Sequence, residues 1–208
     1  GNVGTDNNSG SDNNAFGYSA LLANTSGSRN NAFSTYALIS NTTGNDNSAF
    51  GFESMFRNTT GKQNTAMGSY SLFNTTGNNN TAIGYSVGSN VTSGSNNVII
   101  GSGGANNGIQ FVSPSASNQL NISNILYGTN MDGASSTVST GQLGVGTTSP
   151  YARLSVHANS NETNTTLFAI GSSTQTGTST LFVVTNTGKV GIGTATPARR
   201  LSVGAGTG

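Results

Sequence analysis

"NTTGNNNTAIGYS", residues 74–86, is nearly repeated three times upstream: "NTSGSRNNAFSTY" from Asn24, "NTTGNDNSAFGFE" from Asn41 and "NTTGKQNTAMGSY" from Asn58. Asn24, Asn41 and Asn58 are 17 residues apart, and Asn74 follows after 16. A catalytic site occurs once in a chain, whereas a motif in every turn is architecture. The columns between the copies agree. Ala15, Ala32, Ala49, Ala66 and Ala82 form one. Phe16, Phe33, Phe50, Met67, Ile83 and Ile100 form the next, always large and apolar. Gly17, Gly51, Gly68, Gly84 and Gly101 follow, with Ser34 as the exception. Leu21, Leu38, Met55 and Leu72 make a second apolar column, and Gly27, Gly44, Gly61, Gly77 and Gly94 close the Asn-Thr-Thr-Gly turn. At that turn glycine is expected to supply a positive φ at little steric cost.

A short period with two brief β segments and a glycine turn predicts an all-β solenoid of about six turns, in which each column becomes a ladder. Asn suits such a ladder because its amide can bond to the copies above and below. Both large apolar columns are expected to point inward. Even so, two such side chains per turn offset little of the entropy of ordering a coil, so association with further copies is expected.

Composition agrees. Of 208 residues only 6% are charged and 32% hydrophobic, with 30 Gly, 3 Pro and no Trp or Cys. Disordered chains carry more charge, Pro, Glu and Lys than this. A net charge of +1 predicts no pull toward nucleic acid or an anionic membrane, and the Arg199–Arg200 doublet reads as solvated. Without Cys there is no disulfide or thiolate chemistry, and the compartment stays open. No signal peptide and no run of about 18 apolar residues is present, so no membrane insertion is expected for this segment. The opening at Gly1, partway through a repeat, reads as a fragment of something longer.

The period stops after "NNVIIGSGGANNG" (96–108), which divides the chain into a solenoid over 1–105, a β connector over 106–140 and a duplicated β region over 141–208. In the last, "GQLGVGTTSPYARLSV" (141–156) matches "GKVGIGTATPARRLSV" (188–203) at an offset of 47. Each reads as a strand, a Gly-Thr turn ending in Pro, and a second strand. Between them "TTLFAIGSS" (165–173) and "STLFVVTNTG" (179–188) read as strands.

The units "NTAMGSYSL" (64–72) and "NTAIGYSVG" (80–88) resemble the β-roll head repeats of trimeric autotransporter adhesins and related repeats of phage tail fibres, over about residues 10–105. "NTGKVGIGTATPARRLSV" is similar to shaft segments of phage tail fibres and bacterial surface fibres, and "NQLNISNILYGTNMDG" (118–133) to the connector preceding them. The resemblance implies three identical chains packed side by side in trimeric shaft modules. It also implies an extracellular place on a cell surface or virion, and a recognition tip for a host-surface glycan or receptor. The longer period and the aromatic residues Tyr18, Phe52 and Tyr85 depart from the adhesin heads.

Residues fit for chemistry are sparse. His157 is the only histidine and lacks partners for a zinc site. The acidic residues Asp6, Asp12, Asp46, Glu53, Asp132 and Glu162 are scattered, which argues against a paired-carboxylate hydrolase. "DNNSGSD" (6–12) has oxygen ligands for calcium but no EF-hand spacing. "GKVGIG" (188–193) imitates a phosphate loop without a following helix. The reading is therefore of a non-enzyme with no metal and no cofactor. Sequons at Asn24, Asn41, Asn58, Asn74, Asn90, Asn121, Asn161 and Asn164 would permit N-glycosylation, although Asn-Thr-Thr-Gly is also simply a good turn. Tyr18, Tyr36, Phe52 and Tyr85 could form an outward aromatic strip for sugar or for packing between chains. The Thr pairs Thr42–Thr43, Thr59–Thr60 and Thr75–Thr76 raise a rival reading, a monomeric solenoid binding ice or polysaccharide. A self-assembling filament is a further one.

Overall fold

A computed structural model describes residues 9–102, 113–131, 140–157, 166–174 and 177–203. Among these there is no helix. Each coil contributes one three-residue strand: β1 (Asn14–Phe16), β2 (Asn31–Phe33), β3 (Ser48–Phe50), β4 (Thr65–Met67), β5 (Thr81–Ile83) and β6 (Val98–Ile100). They stack in parallel and in register, so Ala15, Ala32, Ala49, Ala66, Ala82 and Ile99 lie one on another. The chain is thus an all-β solenoid whose columns are ladders.

The strand alternates its faces, which corrects one expectation. The central Ala32, Ala49, Ala66 and Ala82 are completely buried, while Phe16, Phe33, Phe50, Met67 and Ile83 point outward and are 39–75% exposed. Period-two geometry forces this choice, because adjacent strand residues cannot share a face. A methyl group fits inside a tight coil and a benzyl group does not. The inward bulk comes instead from Leu21, Leu38, Met55 and Leu72, all 0–2% exposed.

The expected second strand per coil is replaced by an irregular side on which every other residue is left-handed. Tyr36 and Leu38 have φ of 61° and 51°, and Tyr70 and Leu72 have 61° and 47°. Left-handed backbone costs L-residues roughly 1–2 kcal/mol each. Bonds between coils offset it: Tyr36 N–H donates to Tyr18 O at 2.9 Å and Leu38 N–H to Ser54 O at 3.1 Å.

The Gly27 column also has a different cause from the one expected. Positive φ falls on Gly17, Gly51, Gly68, Gly84 and Gly101 just after the strand, and not on Gly27, Gly44 or Gly61. Gly44 is required by crowding, since a Cβ there would lie 2.3 Å from both Asn41 Oδ1 and Gly61 O.

Two buried amide ladders line the corners. At one, Asn41 Nδ2 donates to Asn24 Oδ1 at 2.8 Å and Asn58 Nδ2 to Asn41 Oδ1 at 3.0 Å. Asn74 does not continue this ladder. The loop from Leu72 to Gly77 is one residue shorter than that from Met55 to Gly61. The buried corner therefore passes to Thr75, whose N–H donates to Leu72 O as Asn58 N–H does to Met55 O. Asn74 turns aside and donates to Ser89 O at 2.7 Å. The second ladder, just before each strand, runs through Asn13, Asn30, Asn47, Asn64, Asn80 and Asn97. Its inner members are completely buried, and each amide also donates across to a glycine-column carbonyl, such as Asn47 Nδ2 to Gly61 O at 2.8 Å.

The strict period ends after β6, but the sheet does not. β7 (Leu120–Ile122) pairs in parallel with β6, and Gln119 N–H still caps Asn97 Oδ1 at 2.9 Å. The same sheet goes on through β8 (Leu126–Thr129) and β9 (Gln142–Val145), both antiparallel, to β10 (Leu154–Val156), parallel to β9. A second sheet orders β11 (Thr166–Thr174), β12 (Gly177–Thr185), β13 (Val190–Ile192) and β14 (Leu201–Val203). The 47-residue duplication is real in register: Leu143 faces Leu154 across β9–β10, and Val190 faces Leu201 across β13–β14.

Candidate functional site

The most chemically varied surface lies just past the strand-end glycines. The first position after them holds Tyr18, Thr35, Phe52, Ser69 and Tyr85, and the second holds Ser19, Tyr36, Glu53, Tyr70 and Ser86. The ring alternates between the two positions, so each coil presents one. Edge-to-face contacts join them all: Tyr18–Tyr36 at 5.5 Å, Tyr36–Phe52 at 6.0 Å, Phe52–Tyr70 at 5.4 Å and Tyr70–Tyr85 at 5.9 Å. This is the arrangement aromatic quadrupoles favour. The sequence pointed to Tyr18, Tyr36, Phe52 and Tyr85, which the fold brings together. It missed Tyr70, whose offset from its neighbours alternates.

Beside this zigzag runs a second column of Leu22, Ile39, Phe56 and Phe73. Phe56 and Phe73 stack at 5.0 Å within 3° of parallel, and the Arg57 guanidinium lies 5.6 Å from the Phe73 ring centre. The column then stops, because the next coil offers Ser89. This coil carries its ring at the first position, Tyr85, so the second position beside the gap is the small Ser86, as it is Ser19 in the first coil. A cleft of about 390 Å³ opens there, walled by Tyr70, Phe73 and Tyr85 and edged by Glu53, Asn74 and the two serines. Glu53 is half-buried and, among the described residues, joins no ion pair. Asn74 reaches the cleft only because the short loop expels it from the amide ladder. Sequence columns contain both the shortened loop and the small residues, but only stacking shows that they coincide.

The other sites expected from sequence are dispersed. Asn24, Asn41 and Asn58 are 0–1% exposed, and their amides are engaged within the coil. Folding therefore buries the side chains of these three sequon asparagines, which agrees with the reading of Asn-Thr-Thr-Gly as a turn, and Asn74 is half-buried. Threonine hydroxyls of the turn donate between coils, Thr25 to Thr42 O and Thr42 to Thr59 O, each at 3.0 Å. Residues 6–8 of the calcium-like run lie outside the described residues. His157 packs 5.3 Å from the Tyr151 ring, with its Nε2 buried and unpartnered. The run 188–193 is a bend leading into β13 and the strand itself, and no helix follows among the described residues. Among the described residues no three His, Asp, Glu or Cys side chains gather as metal ligands.

Electrostatic perturbation is confined to few groups. A two-toothed bond from Arg29, 2.6 and 2.8 Å, holds the Asp46 carboxyl below its ordinary range and raises the guanidinium. Burial pushes up the Tyr127 phenol, which donates to Asn124 Oδ1 at 2.8 Å.

No protein-family model, no curated protein and no solved structure matches the chain.

Proposed function

We propose that the chain is a structural and adhesive segment of an extracellular fibre, formed by three copies packed side by side, that holds or presents a recognition surface on a cell or virion. The observation that carries this reading is the unpartnered apolar line on the outside of the solenoid. Phe16, Phe33, Phe50, Met67 and Ile83 project from successive strands, and Phe33 stacks on Phe50 at 5.0 Å within 2°. The second sheet repeats the pattern, with Phe168, Ile170, Leu181, Ile192 and Leu201 each 42–63% exposed. Continuous exposed apolar surface on this scale marks an association face, and parallel in-register ladders suit a partner with the same repeat. The resemblance to adhesin heads and fibre shafts favours a second and third copy as that partner. The Thr42 and Thr76 hydroxyls are tied to carbonyls of the next coil and that of Thr75 is buried, which counts against a regular outward Thr array for the ice-binding alternative.

Light scattering on the purified chain tests the proposal. A mass about three times 20.9 kDa is expected, falling to one chain in Phe50→Glu, whose carboxylate would have to be desolvated at the interface. A monomeric wild-type chain overturns it.

A further inference from the structure

We propose that the cleft at Ser86 and Ser89 is a subsite for one sugar unit of a neutral glycan; this rests on the adhesive reading above and assigns it a place. The cleft exists because two ladders fail where the ring alternation leaves a small residue. The Phe56–Phe73 column ends at Ser89, the alternation places Ser86 rather than a ring at the second position, and the shortened loop delivers Asn74. In earlier coils those positions carry Ser19, Tyr36, Glu53 or Tyr70, then Leu22, Ile39, Phe56 or Phe73, and an inward ladder amide, so a small residue, the end of the apolar column and an outward Asn coincide only here. The site therefore occurs once in a chain whose other features recur, which separates it from architecture.

Its chemistry matches a pyranose. The exposed edges and faces of Tyr70, Tyr85 and Phe73 offer apolar surface to the C–H side of a sugar ring. Glu53 supplies a carboxylate that joins no salt bridge among the described residues, able to accept from two hydroxyls, and hydrogen bonds to a charged acceptor are the strong ones. Ser86 and Ser89, whose hydroxyls lie 3.4 Å apart, and the Asn74 amide add groups at the floor. The volume falls within the range of small-ligand sites. An acidic sugar would meet Glu53. Three chains would present three such clefts, and avidity would raise weak single-site binding.

Saturation-transfer NMR on the full chain, with methyl α-glucopyranoside, methyl β-galactopyranoside and N-acetylglucosamine as probes, reads this directly. At least one probe is expected to show transfer. Ser89→Phe, which continues the Phe56–Phe73 stack into the cleft, should abolish it. Glu53→Gln, which keeps the shape, should weaken binding about tenfold to a hundredfold. Tyr18→Ala, at the far end of the ring ladder, should leave it unchanged. No transfer from any probe to the wild type overturns the proposal. So does equal binding by wild type and Glu53→Gln, or displacement of the sugar signal by tetramethylammonium alone. A trimer that binds no probe sinks the subsite and leaves the fibre standing. A monomer whose sugar binding Glu53→Gln weakens sinks the trimer and leaves the subsite.

Discussion

The buried amide oxygen of Asn58 and the buried hydroxyl of Thr75 occupy the same corner on successive coils, and neither has a hydrogen-bond partner among the described residues. In the coils before them the oxygen of one Asn accepts from the amide of the next. Thr75 carries no amide to continue the series. The same missing residue that breaks this ladder opens the cleft, so a local loss of stability and the candidate site share one origin.

Thr75→Asn should repair the corner by placing an Nδ2 donor over Asn58 Oδ1. A buried acceptor left unmade costs about 1–3 kcal/mol, so a gain of about 1 kcal/mol is expected as a higher urea midpoint. A lower midpoint would show that the short loop cannot seat a longer side chain.

Asn47 sits mid-way in the other ladder, donating to Asn30 Oδ1 and Gly61 O and accepting from the backbone and side chain of Asn64. Asn47→Ala strands several of these groups and should cost about 3 kcal/mol or more. Asn47→Asp is nearly isosteric but buries a carboxyl without a cation, which raises its folded pKa above the ordinary value of about 3.9. The sign follows: the penalty is present above that pH and fades as pH falls and the group protonates. Urea midpoints of variant and wild type should therefore converge between pH 7 and pH 3.

Ser34 holds φ at 142°, where the equivalent coils use glycine. Such backbone costs a side-chain residue about 1–3 kcal/mol. Ser34→Gly should stabilise the solenoid by about 1 kcal/mol, measured by thermal or urea unfolding. The reverse change, Gly51→Ser, places a Cβ 2.5 Å from the Gly68 carbonyl carbon and should destabilise.

The Arg29–Asp46 pair is exposed, so its effect is small and screened by salt. Because Asp46 is held below its ordinary 3.8, its contribution is present above that pH and disappears as pH falls through the lowered value. Asp46→Asn should lose that part of the acid limb of the stability profile, and the difference from wild type should shrink in 1 M salt.

Much of this could be read directly from the residues. Equal intervals between Ala15, Ala32 and Ala49 dictate stacking, because a repeated side chain in register is the cheapest way to fill a repeated space. The 47-residue duplication likewise gave matching strand pairs. The second Asn ladder is equally periodic at Asn30, Asn47 and Asn64, but those residues stand in Asn-rich runs where only stacking separates an inward amide from its exposed neighbours.

Sequence alone determined that this protein is an all-β array of stacked coils, since period and side-chain identity survive without coordinates. Which way each column faces was decided by tertiary structure. Phe16 and Ala15 are neighbours with the same apolar character, and only the strand's two-sided pleat and the narrow interior send one out and the other in. Structure also decided that Asn74 leaves its ladder. A motif aligns by its letters, whereas a buried corner is claimed by whichever residue lies three positions after Leu72, and that residue is Thr75.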